Sequence, residues 1–369
     1  MKSSSLKISI CIPQYNRIDY LIQSLRIIEW QTYANIEIVV SDDCSTDETV
    51  DKIKAIQPTY RFPLTFHRNE KNIGYDANYR KCIELATGEY CLVIGNDDSV
   101  KERDDIQYLV DFLQQHDLPE IGFCNYVEDY DRNRIIARAP GTGLIGSGYD
   151  VALKQYSCFS FVGGLIYKRS EFQKFNTSKH DGSIYAQMYL GCLMIASGCN
   201  LFSIERPLVV KDLKGDESLR KSYKDVVARK WKDHRKVDGG LPSVINVLLS
   251  AFRDANVLSQ RIVYSIFKRI YTITYAYWLL DYRTLGAYPE SVGMMRGLLP
   301  TANKNYKMLN MVNRVRIFFY YSASSIIGLT MPLFIYRRLK YKMYNYYKKG
   351  GASLQNKNGQ SARQILSAE

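Results

Sequence analysis

The sequence predicts an α/β protein: a mainly parallel sheet flanked by helices, followed by a helical region of different character. Two observations carry this. From Lys7 to about Val127, apolar runs of strand length alternate with segments whose apolar residues recur at helical spacing, the order of a sheet covered on both faces. Beyond Leu213 the chain becomes Tyr-rich and cationic, and the alternation stops. The expected boundaries are 1–213 for the α/β domain, 214–349 for a basic, membrane-associating helical region and 350–369 for a tail rich in Gly, Ser, Gln and Asn.

Taken in order, KISICI opens as a strand, and Leu21, Ile22, Leu25 and Ile28 form the stripe of a first helix. IEIVVS, from Ile36 to Ser41, is a second buried strand. Ser45 and Glu48 then have capping-box spacing ahead of a helix buried through Val50, Ile53 and Ile56. LTFHR is a third strand, and Tyr79, Cys82, Ile83 and Ala86 mark a helix that Gly88 is expected to stop. A strand from Gly88 to Gly95, a helix through Ile106, Leu109, Val110 and Leu113, and a strand from Ile121 to Val127 complete the alternation. Loops are expected between Asp129 and Ser157, strand character from Phe159 to Arg169, and a helix from about Asp181 to Ser197.

At 369 residues and 46% hydrophobic, the chain can bury a sizeable core. Its formal charge of +13 favours an anionic partner: nucleic acid, a phosphorylated substrate or an acidic membrane face. The eight cysteines lack a CxxC pair and read as reduced packing residues, and MKSSSLKISICIP has no long apolar run, so a cytoplasmic location is expected. No P-loop, HExxH or Ser-His-Asp order is present, which leaves ATPase, zinc-protease and triad-hydrolase readings without support. The basic residues form no groove-reading motif, so nucleic acid is not expected as the partner.

Two strand ends carry acidic pairs, Asp42 with Asp43 and Asp97 with Asp98. In a parallel sheet both open toward one rim, where ligands collect. Carboxylates gathered there repel one another unless hydrogen-bond donors or a divalent cation compensate. Mg2+ or Mn2+ suits such a place, because each takes one or two carboxylates and completes its shell with water and phosphate oxygens, which points to a diphosphate-containing substrate. The bland reading of each pair is a turn with a helix-capping acid.

The blocks ISICIPQYNR (Ile8 to Arg17), IEIVVSDDCSTDET (Ile36 to Thr49), NIGYDANYRKCIELATGEY (Asn72 to Tyr90) and VIGNDDS (Val93 to Ser99) together resemble the successive signatures of family 2 glycosyltransferases with the Rossmann-like GT-A fold. The likeness is to bacterial O-antigen and capsule sugar transferases, the abequosyltransferase-like group among them, and it fades after about Arg169. It implies that Pro13, Tyr15 and Arg17 surround the base and phosphates of a nucleotide sugar and that Asp43, with Asp42, holds the base. Asn96, Asp97 and Asp98 fall on the family's DXD site, Asp98 on the metal and Asp97 toward ribose or metal-bound water. Asn96 departs from the acidic pattern and removes a charge.

The resemblance also implies an inverting mechanism with a carboxylate base shortly after the glycine-containing strand; Asp181 is the candidate, with His180 and Asp150 as substitutes and a helix-start acid as its bland reading. Gly163 and Gly164 read either as room for an acceptor or as a tight bend, and Lys168 and Arg169 either as partners of a lipid diphosphate or as surface charges. IFFYYSASSIIGLTMPLFIY, from Ile317 to Tyr336, carries no charge and has basic flanks on both sides. It reads as a peripheral or re-entrant segment on the cytoplasmic face of the bacterial inner membrane, with a true span and a packed helical subdomain as alternatives. The expected function is metal-dependent sugar transfer from a nucleotide-sugar donor to a lipid-linked (polyprenyl-diphosphate) glycan; a catalytically silent membrane-bound scaffold is the alternative.

Overall fold

The computed structural model describes residues 5–213, 241–284 and 286–339. The expected basic helix after Leu213 and the tail 350–369 lie outside the described residues. Two compact units divide at Ile266 and Phe267, so the first runs on past residue 213.

The first unit is built on a ten-stranded sheet. Its strands are β1 (Ile8–Gln14), β2 (Ile36–Asp42), β3 (Leu64–Arg68), β4 (Tyr90–Val93), β5 (Ser99–Val100), β6 (Ile121–Glu128), β7 (Asp131–Ile136), β8 (Gly143–Gly146), β9 (Leu165–Lys168) and β10 (Leu201–Lys211). The order is β3-β2-β1-β4-β9-β6-β10-β5, with β7 on β6 and β8 on β10. From β3 to β4 every ladder is parallel, whereas β9 is antiparallel to both of its neighbours, β4 and β6. The helices α1 (Ile18–Ile28), α2 (Thr49–Ile56), α3 (Tyr75–Leu85) and α4 (Asp105–Gln115) lie in the connections, as the alternation predicts. β1, β2 and β4 are almost wholly buried, as sheet strands covered on both faces must be.

Three local expectations are corrected. Ser45 and Glu48 do not form a capping box: Ser45 bonds Asp42, and Asp47 takes the Thr49 N–H at 3.1 Å. Gly88 does not stop α3, which ends at Leu85 with Ala86 extended; a Cβ at Gly88 would lie 2.6 Å from Ser9 Oγ, so glycine is required there by close packing. The helix expected from Asp181 begins only at Ala186; α7 (Ala186–Ala196), which follows α5 (Tyr149–Gln155) and α6 (Arg169–Phe175), is buried all round and packs against α8 (Leu241–Asp254). All eight cysteines are free, seven of them buried.

α9 (Gln260–Arg269) runs across the division between the units. The second unit continues through a π-helical turn at Ile270–Thr274, α10 (Tyr275–Thr284), α11 (Tyr288–Gly297) and α12 (Met311–Thr330). Its interior is a tyrosine cluster: Tyr275 stacks on Tyr321 at 5.6 Å and bonds Ser325 at 2.8 Å, while Ser324 donates to the Tyr271 carbonyl. Gly328 lets α12 close on Leu279, whose Cδ1 lies 2.5 Å from where a Cβ would stand. The serines and glycine of the uncharged run are therefore the packed side of α12.

Candidate active site

The carboxyl ends of β2, β1 and β4 lie side by side, and the loops leaving them are knitted together. Asp42 pairs in register with Gln14, and Ile94 N–H donates to Cys11 O. Asn16 and Cys44, just past β1 and β2, both take left-handed backbone conformations (φ 42° and 59°), as happens where a rim is shaped for a ligand. Asn16 N–H donates to Ser45 Oγ at 2.9 Å, and its side-chain oxygen accepts from Thr46 N–H at 2.8 Å. Asp47 receives the backbone N–H groups of Arg17 and Ile18.

Among the residues singled out by sequence, Pro13 lies in β1 opposite Ser41, and Tyr15 stands half exposed on the rim instead of packing under α1. Arg17 forms an ion pair with Asp97. The Asn96 amide donates to Gln14 Oε1 at 2.8 Å and reaches the Tyr15 carbonyl at 3.4 Å, so the departure from an acidic residue serves to join β4's end to β1's. Asp98 is buried and accepts from Gly95 N–H at 3.1 Å and Asp212 N–H at 3.2 Å. Burial, and then the neighbouring charge of Asp97, push its carboxyl up to about 8, with the Asp212 charge adding to the rise.

The second acidic pair is turned inward. Asp42 is fully buried and spends its oxygens on Ser45, with Arg68 Nε 3.6 Å away. Asp43 accepts from Ile73 N–H at 2.7 Å, Gly74 N–H at 3.0 Å and Asn69 Nδ2 at 3.2 Å, which fixes the turn into α3. The next residue, Tyr75, reaches back toward β4: burial of its hydroxyl, followed by the charges of Asp76, Tyr167 and Asp98, pushes the phenol well up. Because β2, β1 and β4 are neighbouring parallel strands, Asp43 and Asp98 follow strands that end at the same edge of the sheet.

Asp181 sits in the loop before α7. It is not a helix-start acid; the Arg80 guanidinium of α3 grips it with two nitrogens, Nε to Oδ1 at 2.9 Å and the second to Oδ2, while Arg80 also donates to Asn176 at 3.1 Å. Asp76, buried at the start of α3, accepts from Ile184 N–H at 2.7 Å and Ala186 N–H at 3.0 Å. Ile184 has φ 63°, a costly conformation for a β-branched residue that these bonds hold in place. His180 lies against Tyr189 at 4.4 Å, and Asp150 faces Arg261 at 3.4 Å.

Two readings left open by the sequence are narrowed. Gly163 and Gly164 are a tight bend: a Cβ at Gly163 would lie 2.6 Å from Asp98 Oδ2, and one at Gly164 2.5 Å from Cys124 Sγ, so neither offers open backbone. Arg138 holds this bend through the carbonyls of Cys158, Phe161 and Gly163. Because β9 is antiparallel, Lys168 and Arg169 fall at the opposite end of β4, where they bond the carbonyls of Leu118 and Gly88.

Sequence reasoning missed Gln14, Tyr75, Asp76, Arg80 and Asp212. Tyr75, Asp76 and Arg80 stand inside the NIGYDANYRKCIELATGEY block, which is the signal that marks them; nothing local marks Asp212.

Residues 9–174 match the family described as glycosyl transferase family 2. The chain is similar to abequosyltransferase RfbV of Salmonella typhimurium, 31% identical over 220 residues that make up 55% of this chain and 66% of that protein. It is also similar to a PGL/p-HBAD biosynthesis glycosyltransferase of Mycobacterium bovis, 37% identical over 119 residues that make up 32% of this chain and 46% of that one. The chain thus spans from about half to just under two thirds of the length of these relatives. In shape it is similar to S. aureus TarS 1-349 in complex with UDP, with a TM-score of 0.57 at 13% identity over 90% of this chain and 92% of that one, a likeness of the GT-A fold. The likeness to glycosyl transferase family 2 is thus carried by residues 9–174.

Proposed function

We propose that the chain is an inverting glycosyltransferase that moves a sugar from a nucleotide-sugar donor to a polyprenyl-diphosphate-linked oligosaccharide, as in O-antigen or capsule assembly, with Mg2+ or Mn2+ on the donor diphosphate. The observation that carries this reading is the meeting of Tyr15, the Arg17–Asp97 pair, Asp43 and Asp98 along one rim in a family 2 domain. The abequosyltransferase match and the TarS complexes with UDP and UDP-GlcNAc support a nucleotide-sugar donor.

The donor set fits a hard divalent cation. Asp98 is a buried carboxylate that feels the charges of Asp97 and Asp212, accepts two backbone N–H groups and has the Lys211 ammonium nearby, itself paired with Asp212. No group of three or more His, Cys, Asp or Glu that could hold a metal gathers among the described residues. Asp98 would hold the ion, and the remaining ligands would be water and phosphate, the habit of Mg2+ and Mn2+. When bound, the ion neutralises charge growing on the leaving diphosphate.

The chain's own groups supply the rest. Tyr15 offers an exposed ring to the nucleobase, on a rim whose shape Asp43 sets, and Arg17 presents its guanidinium to the phosphates while Asp97 orients it. Asp181, held by Arg80, takes the proton of the acceptor hydroxyl as that oxygen attacks the anomeric carbon.

Calorimetric titration with UDP, GDP, CDP and TDP in the presence of Mn2+ tests the reading. One nucleotide is expected to bind in a metal-dependent way, and Asp98→Asn to remove the metal dependence. Failure of all four to bind would refute the transferase reading and leave a silent scaffold.

A further inference from the structure

The chain's net positive charge is carried by residues 267–369. Residues 267–369 hold sixteen Lys and Arg against three Asp and Glu, an excess of thirteen that equals the whole chain's formal +13; the first 266 residues are balanced. From Ser291 to Ala368 there is no acidic residue at all.

Within that unit α12 is inverted relative to a helix built for water. Its packed side is made of Ile317, Tyr321, Ser324, Ser325 and Gly328, three of them small. The opposite side carries Val312, Val315, Phe319 and Ile326, exposed by 59%, 63%, 66% and 64%. Steps of three, four and seven residues place these side chains in one stripe. The chain then bends by 109° into a short helix, Leu333–Leu339, on which Phe334 is also exposed. Arg316 stands near the start of the apolar stripe, and Arg337 and Arg338 lie beyond the bend, all exposed. Among the described residues no single helix is long and apolar enough to cross a membrane.

We propose that this face docks the second unit onto an anionic lipid bilayer, with α12 lying in the headgroup plane, the Val312–Val315–Phe319–Ile326 stripe in the acyl boundary and the arginines on lipid phosphates. Long apolar side chains outward, small residues inward and cations at both ends are what an interfacial helix requires. Anionic lipid attracts each cation near its surface. A second copy of the chain is a poorer occupant, since a symmetric contact would set a surface of uniform positive charge against itself. The inference stands on the second unit alone and is independent of the sugar-transfer reading.

The test is flotation of the full chain with vesicles of phosphatidylcholine alone and with about a third phosphatidylglycerol, at low and high salt, alongside sizing in solution. Wild type is expected to float with the anionic vesicles and to be released in part by salt. Val315→Ser with Phe319→Ser and Ile326→Ser is expected to cut bound protein at least tenfold on both vesicles. Arg316→Gln with Arg337→Gln and Arg338→Gln is expected to remove the preference for anionic lipid. Circular dichroism and nucleotide binding are read on every variant, and because all six positions are exposed, both are expected to stay unchanged. Equal flotation of wild type and the apolar triple variant would overturn the proposal, as would a stable oligomer that the triple variant dissociates while wild type ignores vesicles.

Discussion

Replacing Arg80 by Met removes the only side chain shown gripping Asp181 with two nitrogens, and its consequence follows from the geometry. The Arg80 side chain is 11% exposed and that of Asp181 24%. Breaking a buried pair costs about 3–5 kcal/mol. With Asp181 a quarter open to water, about 2 kcal/mol of that survives. For a folding unit of this size that lowers Tm by roughly 4–8 °C. The catalytic cost is separate: once Arg80 no longer holds Asp181 and Asn176, the loop before α7 keeps its bonds to α3 through Asp76 and through Glu84 on Asn176, but nothing shown still grips Asp181. A displacement near 1 Å at a reacting group costs about 10²-fold. The assay is transfer to acceptor with donor and acceptor varied independently. The expected result is a fall of about 10²-fold in kcat with donor KM unchanged, and partial recovery in Arg80→Lys. Full turnover in Arg80→Met, or a loss confined to donor affinity, would refute the assignment of this loop to the acceptor side.

Three further outcomes are expected. Asp98→Asn abolishes transfer by at least about 10³-fold while leaving the fold intact; because Asp98 is raised from 3.8 to about 8, the metal-free protein loses stability as pH rises between those values, and thermal melts of the variant should show a flatter pH dependence. Glu37 behaves with the opposite sign: burial opposes its charge, but Lys7, Ser9 and Thr87 overcome it and bring the carboxyl from 4.5 to about 2, a contribution of about 3 kcal/mol present above the ordinary carboxylate range and lost as pH falls toward 2. Urea melts of Glu37→Gln should show that loss at pH 7 and none at pH 2. Gly163→Ala drives a methyl against Asp98 Oδ2 and the Phe161 ring, and is expected to lower transfer more than it lowers Tm in paired assays.

The parallel half of the sheet was legible because its strands are apolar on both faces and end at polar junctions, so position along the chain alone places Asp43 and Asp98 on one rim. Strand β9 was legible as a strand but not in direction, since an antiparallel insertion leaves no local mark; the choice between the two readings of Lys168 and Arg169 stayed open for that reason. Asp42 and Asp98 read alike in sequence, but one turns into Ser45 and the other faces Asp97 and Asp212, a difference decided by Asp212, more than a hundred residues away. Nothing local in the uncharged run says which side of α12 turns inward; the bonds of Ser324 and Ser325 to Tyr271 and Tyr275 show that these two serines lie on the inner side.

The opening turns of α3 are bonded to two loops at once: Gly74 to Asp43 after β2, and Asp76 to the strained Ile184 and Arg80 to Asp181 before α7. A shift at the Gly74 end of such a helix would carry the loop of Asp181 with it. If the proposed transfer holds, the expected kinetic counterpart is compulsory order, donor before acceptor, with the leaving nucleotide competing against the donor alone.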